Sequence, residues 1–321
     1  MITTYYDRAG QLEIGAEGDL KDAAWIDLYA PSAEEEQRVE AELKITIPTR
    51  EEMREVESSS ALYHEGDATY VTVRAVERGS RGEPGLTSFT LVLVRQQFIT
   101  LRYAEPRSFA QFLARTHKPE QAFPSSQSLL LCLLETMVDR DADILEEIGD
   151  ALDPISLEIF SRDTSSTMES IAAKDLSQVL TRIGNAGELA ARVRQSLHSI
   201  GRALPFLKLE IESHAALDTR LKTLTLDVQS LLEHDNFLQT QIQFLLDSNI
   251  GLISIQQNAI MKTLSVAAVI FLPPTLIGSV YGMNFEHMPE LHWAHGYPFA
   301  LGLMLLSIVL PLAFFRMRRW F

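Results

Sequence analysis

Eleven residues near the end of this chain, YGMNFEHMPEL from Tyr281 to Leu291, hold two carboxylates, Glu286 and Glu290, and the imidazole of His287. Hard divalent cations prefer carboxylate oxygen, whereas imidazole, here and at the nearby His292 and His295, suits softer metals. Loop histidines serve equally as plain exposed side chains. The setting gives this acidic loop its meaning. On either side lies a hydrophobic segment without a charge, Thr263–Tyr281 and Tyr297–Phe315, and each meets the ~20 residues that a helix needs to span ~30 Å of hydrocarbon. A buried hairpin in a globular core is the alternative, but two successive uncharged stretches of this length argue for a membrane. A chain that keeps two spans and an acidic loop moves something there, or senses something there.

Charge placement sets an orientation. Lys262 precedes the first span and Arg316, Arg318 and Arg319 follow the second, while the link carries Glu286 and Glu290 and no Lys or Arg. Positive flanks stay cytoplasmic, so both termini are expected in the cytoplasm and the link outside, in a cell (inner) membrane. The start, MITTYYDRAG, lacks the basic and then apolar pattern of a signal peptide. The net charge of −15 argues against nucleic acid and suits a cation ligand, or simply a soluble acidic surface. Cys132 stands alone, which leaves no disulfide framework and no thiolate cluster. Neither a GxxxxGK phosphate loop nor an HExxH helix occurs, and no enzyme is expected.

The elements that must position the spans form five segments. Residues 1–120 read as a small α/β cytoplasmic domain. In it, β-rich runs at Ala24–Leu28, Thr69–Ala75, Thr87–Val94 and Phe98–Tyr103 alternate with helical starts capped by Ser32 with Glu35 and Thr49 with Glu52. Gly79–Gly85 reads as a turn between strands. Residues 121–205 read as an acidic helical region. Leu130, Leu133, Leu134, Met137, Ile144 and Ile148 mark its apolar side, and Glu135, Asp139, Asp141, Asp143, Glu146, Glu147, Asp150, Asp153 and Glu158 mark the other, with Arg140 the one basic residue among them. That side is either solvated or a weak divalent-cation surface. Residues 206–281 read as a long stalk helix continuing as the first span, 282–296 as the outer loop, and 297–321 as the second span with a basic tail.

No proline lies between Pro205 and Pro273, so Phe206–Leu272 predicts one helix of ~100 Å at 1.5 Å per residue. Along it Leu221, Leu224, Val228, Leu231, Asp235, Leu238, Ile242, Leu245, Asn249, Leu252, Gln256 and Ala259 keep strict 3-4 spacing, the seam of a coiled coil or bundle. The polar members either fix register or line a wet axial path. Two spans per chain cannot enclose a pore, so conduction would need several copies around an axis. The face with Met261, Leu264, Ala268, Leu272, Thr275, Ser279 and Gly282 would then line it; the same small residues equally suit helix packing. Pro273 and Pro274 are expected to kink this span and free carbonyls.

Gly282-Met283-Asn284 directly after the first span, continued as FEHMPEL, resembles the signature of the CorA family of divalent-cation transporters. Met288-Pro289-Glu290-Leu291, the Gly296-Tyr297-Pro298 opening of the second span and the tail ending Trp320-Phe321 agree with it. The match is strong over 240–321. Over 1–240 it holds in outline, through Trp25-Ile26-Asp27-Leu28 and the order of α/β then helical segments.

The resemblance implies an α+β membrane protein, a homopentamer in the lipid bilayer, that takes up magnesium down its electrochemical gradient, with cobalt or nickel tolerated. Asn284 would ring the outer mouth beside Gly282 carbonyls and Met283, with Thr275, Leu272, Leu264 and Met261 successively deeper and Asn258 just inside. A ring of neutral amide oxygens can hold hydrated magnesium, which dehydrates reluctantly, without trapping it. Cytoplasmic magnesium at acidic sites between subunits closes the pore in this family. Here the stalk position at which some members carry a regulatory aspartate falls at Thr223, leaving Asp218, Asp227 and Asp235 as candidates. A zinc or cobalt transporter of the same superfamily, or a non-conducting membrane-anchored scaffold, are the competing readings.

Overall fold

The computed structural model describes residues 1–8, 11–15, 20–55, 58–78, 83–118, 123, 125–160, 173–211, 215–283, 288 and 292–318. It divides into two compact units, Met1–Asp163 with Ser177–Asp247, and Thr164–Leu176 with Ser248–Phe321.

In the first unit seven strands form one mixed sheet: β1 (Ile2–Arg8), β2 (Gln11–Ile14), β3 (Trp25–Tyr29), β4 (Leu62–Glu65), β5 (Ala68–Arg78), β6 (Pro84–Val94) and β7 (Gln97–Arg102), in the order β2-β1-β3-β7-β6-β5-β4. All neighbours are antiparallel except β3 and β7. Every β-rich run found in the sequence falls on one of these strands, with Ala24 and Tyr103 one residue outside β3 and β7; β1, β2 and β4 are additional. Gly79 to Gly82 lie outside the described residues, and the strands they join pair from Arg78 with Pro84.

Period-2 alternation gives the sheet two buried faces. Ile26, Leu28, Tyr70, Val92, Ile99 and Leu101 pack beneath α1 (Ala33–Leu43), whose Val39 and Leu43 point into the same cluster. The Ser32–Glu35 capping box forms in full at its start. The Thr49–Glu52 pair forms as well, but it opens only a 3-10 turn, Glu52–Arg54. After the short α2 (Ser58–Ala61), the opposite face is covered by α3 (Arg107–Thr116) and α4 (Ser126–Phe160), with contributions from α5 (Ala173–Ile211) and α6 (Ala215–Tyr281).

That second face holds the polar centre of the sheet. Arg102 grips Asp27 bidentately, Nε to Oδ1 at 3.0 Å and Nη2 to Oδ2 at 2.9 Å, and both are buried. Thr100 donates to Asp27 at 2.7 Å and accepts from Trp25 Nε1 at 3.1 Å. The guanidinium lies 3.9 Å from the Phe109 ring and 4.3 Å from the Tyr29 ring. With both charges paired and Arg102 Nη1 donating to the Ala104 carbonyl at 3.1 Å, the pair joins the only parallel strands of the described sheet.

Two expectations are corrected here. The long helix begins at Ala215 and not at 206: Phe206 belongs to α5, which runs on through Pro205 to Ile211. Pro205 faces solvent while Ala203, Leu204 and Leu207 beside it are buried, so core packing outweighs the missing hydrogen bond. Asp141, expected on the solvated acidic side, is 2% exposed. Its spacing explains this: four residues after Met137 and three before Ile144, it falls on the apolar stripe of α4.

Asp141 meets Ser196 of α5, at a junction that closes a sheet edge. Beyond Val71, where β4 stops pairing, the edge of β5 is met by α5: Arg74 N–H donates to Ser199 Oγ at 2.9 Å, and Ser196 Oγ donates to the Arg74 carbonyl at 2.8 Å. Burial pushes the Asp141 carboxyl up to about 8, against the lesser opposing effects of Ser196 and Arg140.

The 3-4 seam of α6 is an intrachain one. Leu221, Leu224, Val228, Leu238, Ile242 and Leu245 are buried, and Val228 and Ile242 face Gly201 and Gly187 of α5. Asp235, 0% exposed, takes the guanidinium of Arg194. In the second unit, Asn249 Nδ2 donates to the Leu176 carbonyl at 3.1 Å. These two polar seam residues therefore fix helix register and do not line an axial path.

Asp27→Ala should lower stability by about 3–5 kcal/mol, because it leaves a buried guanidinium unpaired; thermal unfolding of the full chain in detergent measures it. For Asp141 the native carboxyl holds its proton up to about pH 8, whereas in the unfolded chain it ionises near its ordinary value of 3.8. The native state is thus favoured fully below about pH 4 and loses that advantage as pH rises to about 8. Asp141→Asn should flatten this decline, so unfolding curves of the two proteins should diverge progressively above pH 4.

Candidate functional site

The C-terminal part of α6 and α7 (Gly296–Met317) are both long and apolar enough to cross a bilayer. Neither span carries a charge, and their side chains are largely uncovered within the chain: Met261 is 61% exposed and Leu272 66%. Apolar helices this bare need lipid or further protein around them. At the two ends of α7 stand the residues that interfaces favour, Trp293 and Tyr297 at one and Arg316 and Arg318 at the other.

Asn258, Met261, Leu264, Ala268, Leu272, Thr275, Ser279 and Gly282 follow one another at three and four residues, and all are exposed. They share one face of α6. Val266, Ile270, Pro273, Pro274, Ile277 and Gly278, which are buried or half-buried, lie on the opposite side. There Met304 of α7 comes so near Gly278 that an added Cβ would stand 3.3 Å from its terminal methyl. The exposed stripe therefore lies within the wider surface that α7 leaves open, which also includes Val269, Phe271, Leu276 and Val280.

Backbone polarity within the span is handled locally. The helix continues through both prolines to Tyr281. The missing N–H groups free the carbonyls of Val269 and Ile270. Thr275 spends its hydroxyl proton on its own helix, toward the Phe271 carbonyl and at 3.0 Å from that of Leu272. With its proton so used, the Thr275 oxygen is left as an acceptor on this exposed position. At the helix end Gly282 N–H donates to the Gly278 carbonyl at 3.0 Å, and a Cβ on Gly282 would lie 3.0 Å from that same oxygen. A side chain would press on backbone at this position, which is a physical reason for the glycine.

Asn284, Glu286, His287 and Glu290 lie outside the described residues; Met283 is exposed. His292 and His295 are exposed, and among the described residues no three His, Cys, Asp or Glu groups converge as metal ligands. Of the candidate regulatory carboxylates, Asp218 is held by Lys222 at 2.6 Å and Asp227 is exposed. Asp235 is committed to Arg194 inside the chain, which removes it from any surface site. Arg194 was not singled out in the sequence, although a buried carboxylate that keeps its charge needs a cation partner. The exposed apolar side chains Leu226, Phe237 and Phe244 on α6, the last stacked on Phe160 at 5.5 Å, also escaped the pattern.

A family model described as CorA-like Mg2+ transporter protein matches residues 21–319. The magnesium transport protein CorA of Sodalis glossinidius is 32% identical over 313 residues, 98% of this chain and 96% of its own length. That of Salmonella typhi is 31% identical over 314 residues, covering 98% and 97%. The complete structure of the CorA magnesium transporter from Methanocaldococcus jannaschii superposes with a TM-score of 0.73 at 19% identity, over 98% of this chain and 97% of that one. The ZntB cytoplasmic domain from Vibrio parahaemolyticus gives 0.56 at 13%, over 78% and 96%. At such identities these two are likenesses of fold. The family match spanning nearly the whole chain, joined to relatives above 30% identity at the same coverage, makes this chain a member of the CorA family.

Proposed function

We propose that several copies of this chain, five by the family resemblance, surround a common axis and pass magnesium across a cell membrane into the cytoplasm. The observation that carries this reading is the uncharged stripe from Asn258 to Gly282, exposed on the side of α6 that α7 leaves open and ending at the Gly282-Met283-Asn284 motif. The bare phenylalanines of α6 add a second apolar surface that neighbouring copies would cover. In this arrangement Asn284 holds the hydrated ion by neutral amide oxygen at the outer mouth, and Thr275 supplies a second oxygen ring. Leu272, Leu264 and Met261 form a narrow apolar stretch before Asn258 at the inner side.

No chemical fuel is needed. One charge crossing 100 mV gains ~2.3 kcal/mol, so a divalent ion gains ~4.6 kcal/mol, about three decades of accumulation. Flow of that strength requires a gate, and cytoplasmic magnesium at intersubunit carboxylates, with Asp218 and Asp227 the remaining candidates, would close it by favouring one state. Cobalt or nickel, of similar charge, would share the path. The arginines after α7 support an orientation with both termini inside, since basic flanks stay on the cytoplasmic side.

Asn284→Ala should abolish magnesium uptake by cells that depend on this chain, while light scattering of the purified protein shows the same assembly. Undiminished uptake by that variant would remove Asn284 from the pathway.

A further inference from the structure

A chain with 43 acidic and 28 basic side chains has carboxylates to spare for its arginines, and the first unit uses them. Arg102, Arg115, Arg140, Arg182, Arg192, Arg194 and Arg220 all have a carboxylate partner. Arg50 and Arg54, like Arg74, Arg95 and Arg107, form no ion pair among the described residues, and what sets these two apart is that both border one cavity of about 340 Å³. The cavity exists because α1 and the 3-10 turn cover only part of their sheet face. Met53 plugs the core, and beyond it the ends of β5 and β6 and the residue after β7 stand uncovered.

The lining is divided by chemistry. Arg50 lies over the Tyr103 ring, 5.2 Å from its centroid, which leaves its fork of donors pointing from a fixed plane. Arg54 approaches from the 3-10 turn, and its carbonyl holds Arg74 Nη2 at 3.4 Å, bringing a third guanidinium to the margin. Leu86 gives an apolar wall and Ser88 a hydroxyl. Glu77 supplies one carboxylate. Arginine forks match phosphate oxygens bidentately, an aromatic ring with an aliphatic wall accepts a flat base, and a lone carboxylate accepts from sugar hydroxyls. The volume falls in the range of small-ligand sites.

We infer that this cleft binds a nucleoside di- or triphosphate, its phosphates on Arg50 and Arg54, its ribose at Glu77 and its base against Tyr103 and Leu86. The site lies in the sheet domain and involves no residue of the ion pathway, so it stands apart from the transport reading.

Isothermal titration of the full chain in detergent, with metal chelated, tests it using ATP, ADP, adenosine and inorganic triphosphate. ATP and ADP should bind, and adenosine and inorganic triphosphate should each bind at least about tenfold more weakly, since each lacks half of the recognised groups. The doubly substituted R50A/R54A protein should lose at least about tenfold in ATP affinity with an unchanged circular dichroism spectrum. Because both arginines are exposed, this variant is expected to fold; R50K/R54K, which keeps charge and loses the fork, should fall between. Absence of ATP binding, or equal binding by R50A/R54A, would overturn the site, and inorganic triphosphate binding as tightly as ATP would overturn the nucleotide assignment.

Discussion

A helix that enters hydrocarbon has no water to satisfy its backbone and no polar medium to reward its charges, and α6 is organised around that constraint. Up to Asn249 it is a bundle helix with one buried seam and a largely polar back interrupted by Leu226, Phe237 and Phe244; from Gly251 onward its apolar side chains stand bare on most sides. The same 3.6-residue geometry serves both halves, so the helix needs no break between them. The cost falls at Pro273 and Pro274, where two N–H groups are lost. The adjoining Thr275 hydroxyl bonds back to its own helix, which keeps the polar group internal while leaving an oxygen on the open stripe.

The first unit obeys the opposite logic. Buried charge is tolerated there because each group is given a specific partner: Asp27 has Arg102 and Thr100, and Asp235 has Arg194. Such pairs contribute little net stability compared with apolar replacements, but they penalise any shift of one element past another. The Arg102 pair holds strand β7 against β3, and the Arg194 pair holds α6 in register with α5. Asp141 differs, since it solves its burial by keeping its proton.

Much of this was legible in the sequence. Two uncharged spans, their basic flanks, the strands at Thr69–Ala75 and Phe98–Tyr103, the Ser32 cap and the 3-4 seam could each be read from spacing alone, because each rests on local periodicity or a short-range hydrogen bond. Spacing also held the burial of Asp141, as the fifth of seven positions on an otherwise apolar stripe, but its charge argued for solvent. What local pattern could not reveal were long-range partners. Arg194 with Asp235 and Ser199 with Arg74 join residues far apart in the chain, and the start of α6 depended on how well Leu204 and Leu207 pack around an exposed proline. In the site, the stripe from Met261 to Gly282 came from the sequence and Asn258 from the family resemblance; that α7 leaves the stripe open came from its exposure in the folded chain.

Purified protein in sealed liposomes loaded with a magnesium-sensitive dye gives the most direct test. With an inside-negative potential set by potassium and valinomycin, external magnesium should enter, entry should scale with the imposed voltage, and reversing the potential should suppress it. Liposomes that hold correctly assembled protein and admit no magnesium at any voltage would contradict a passive pathway along α6.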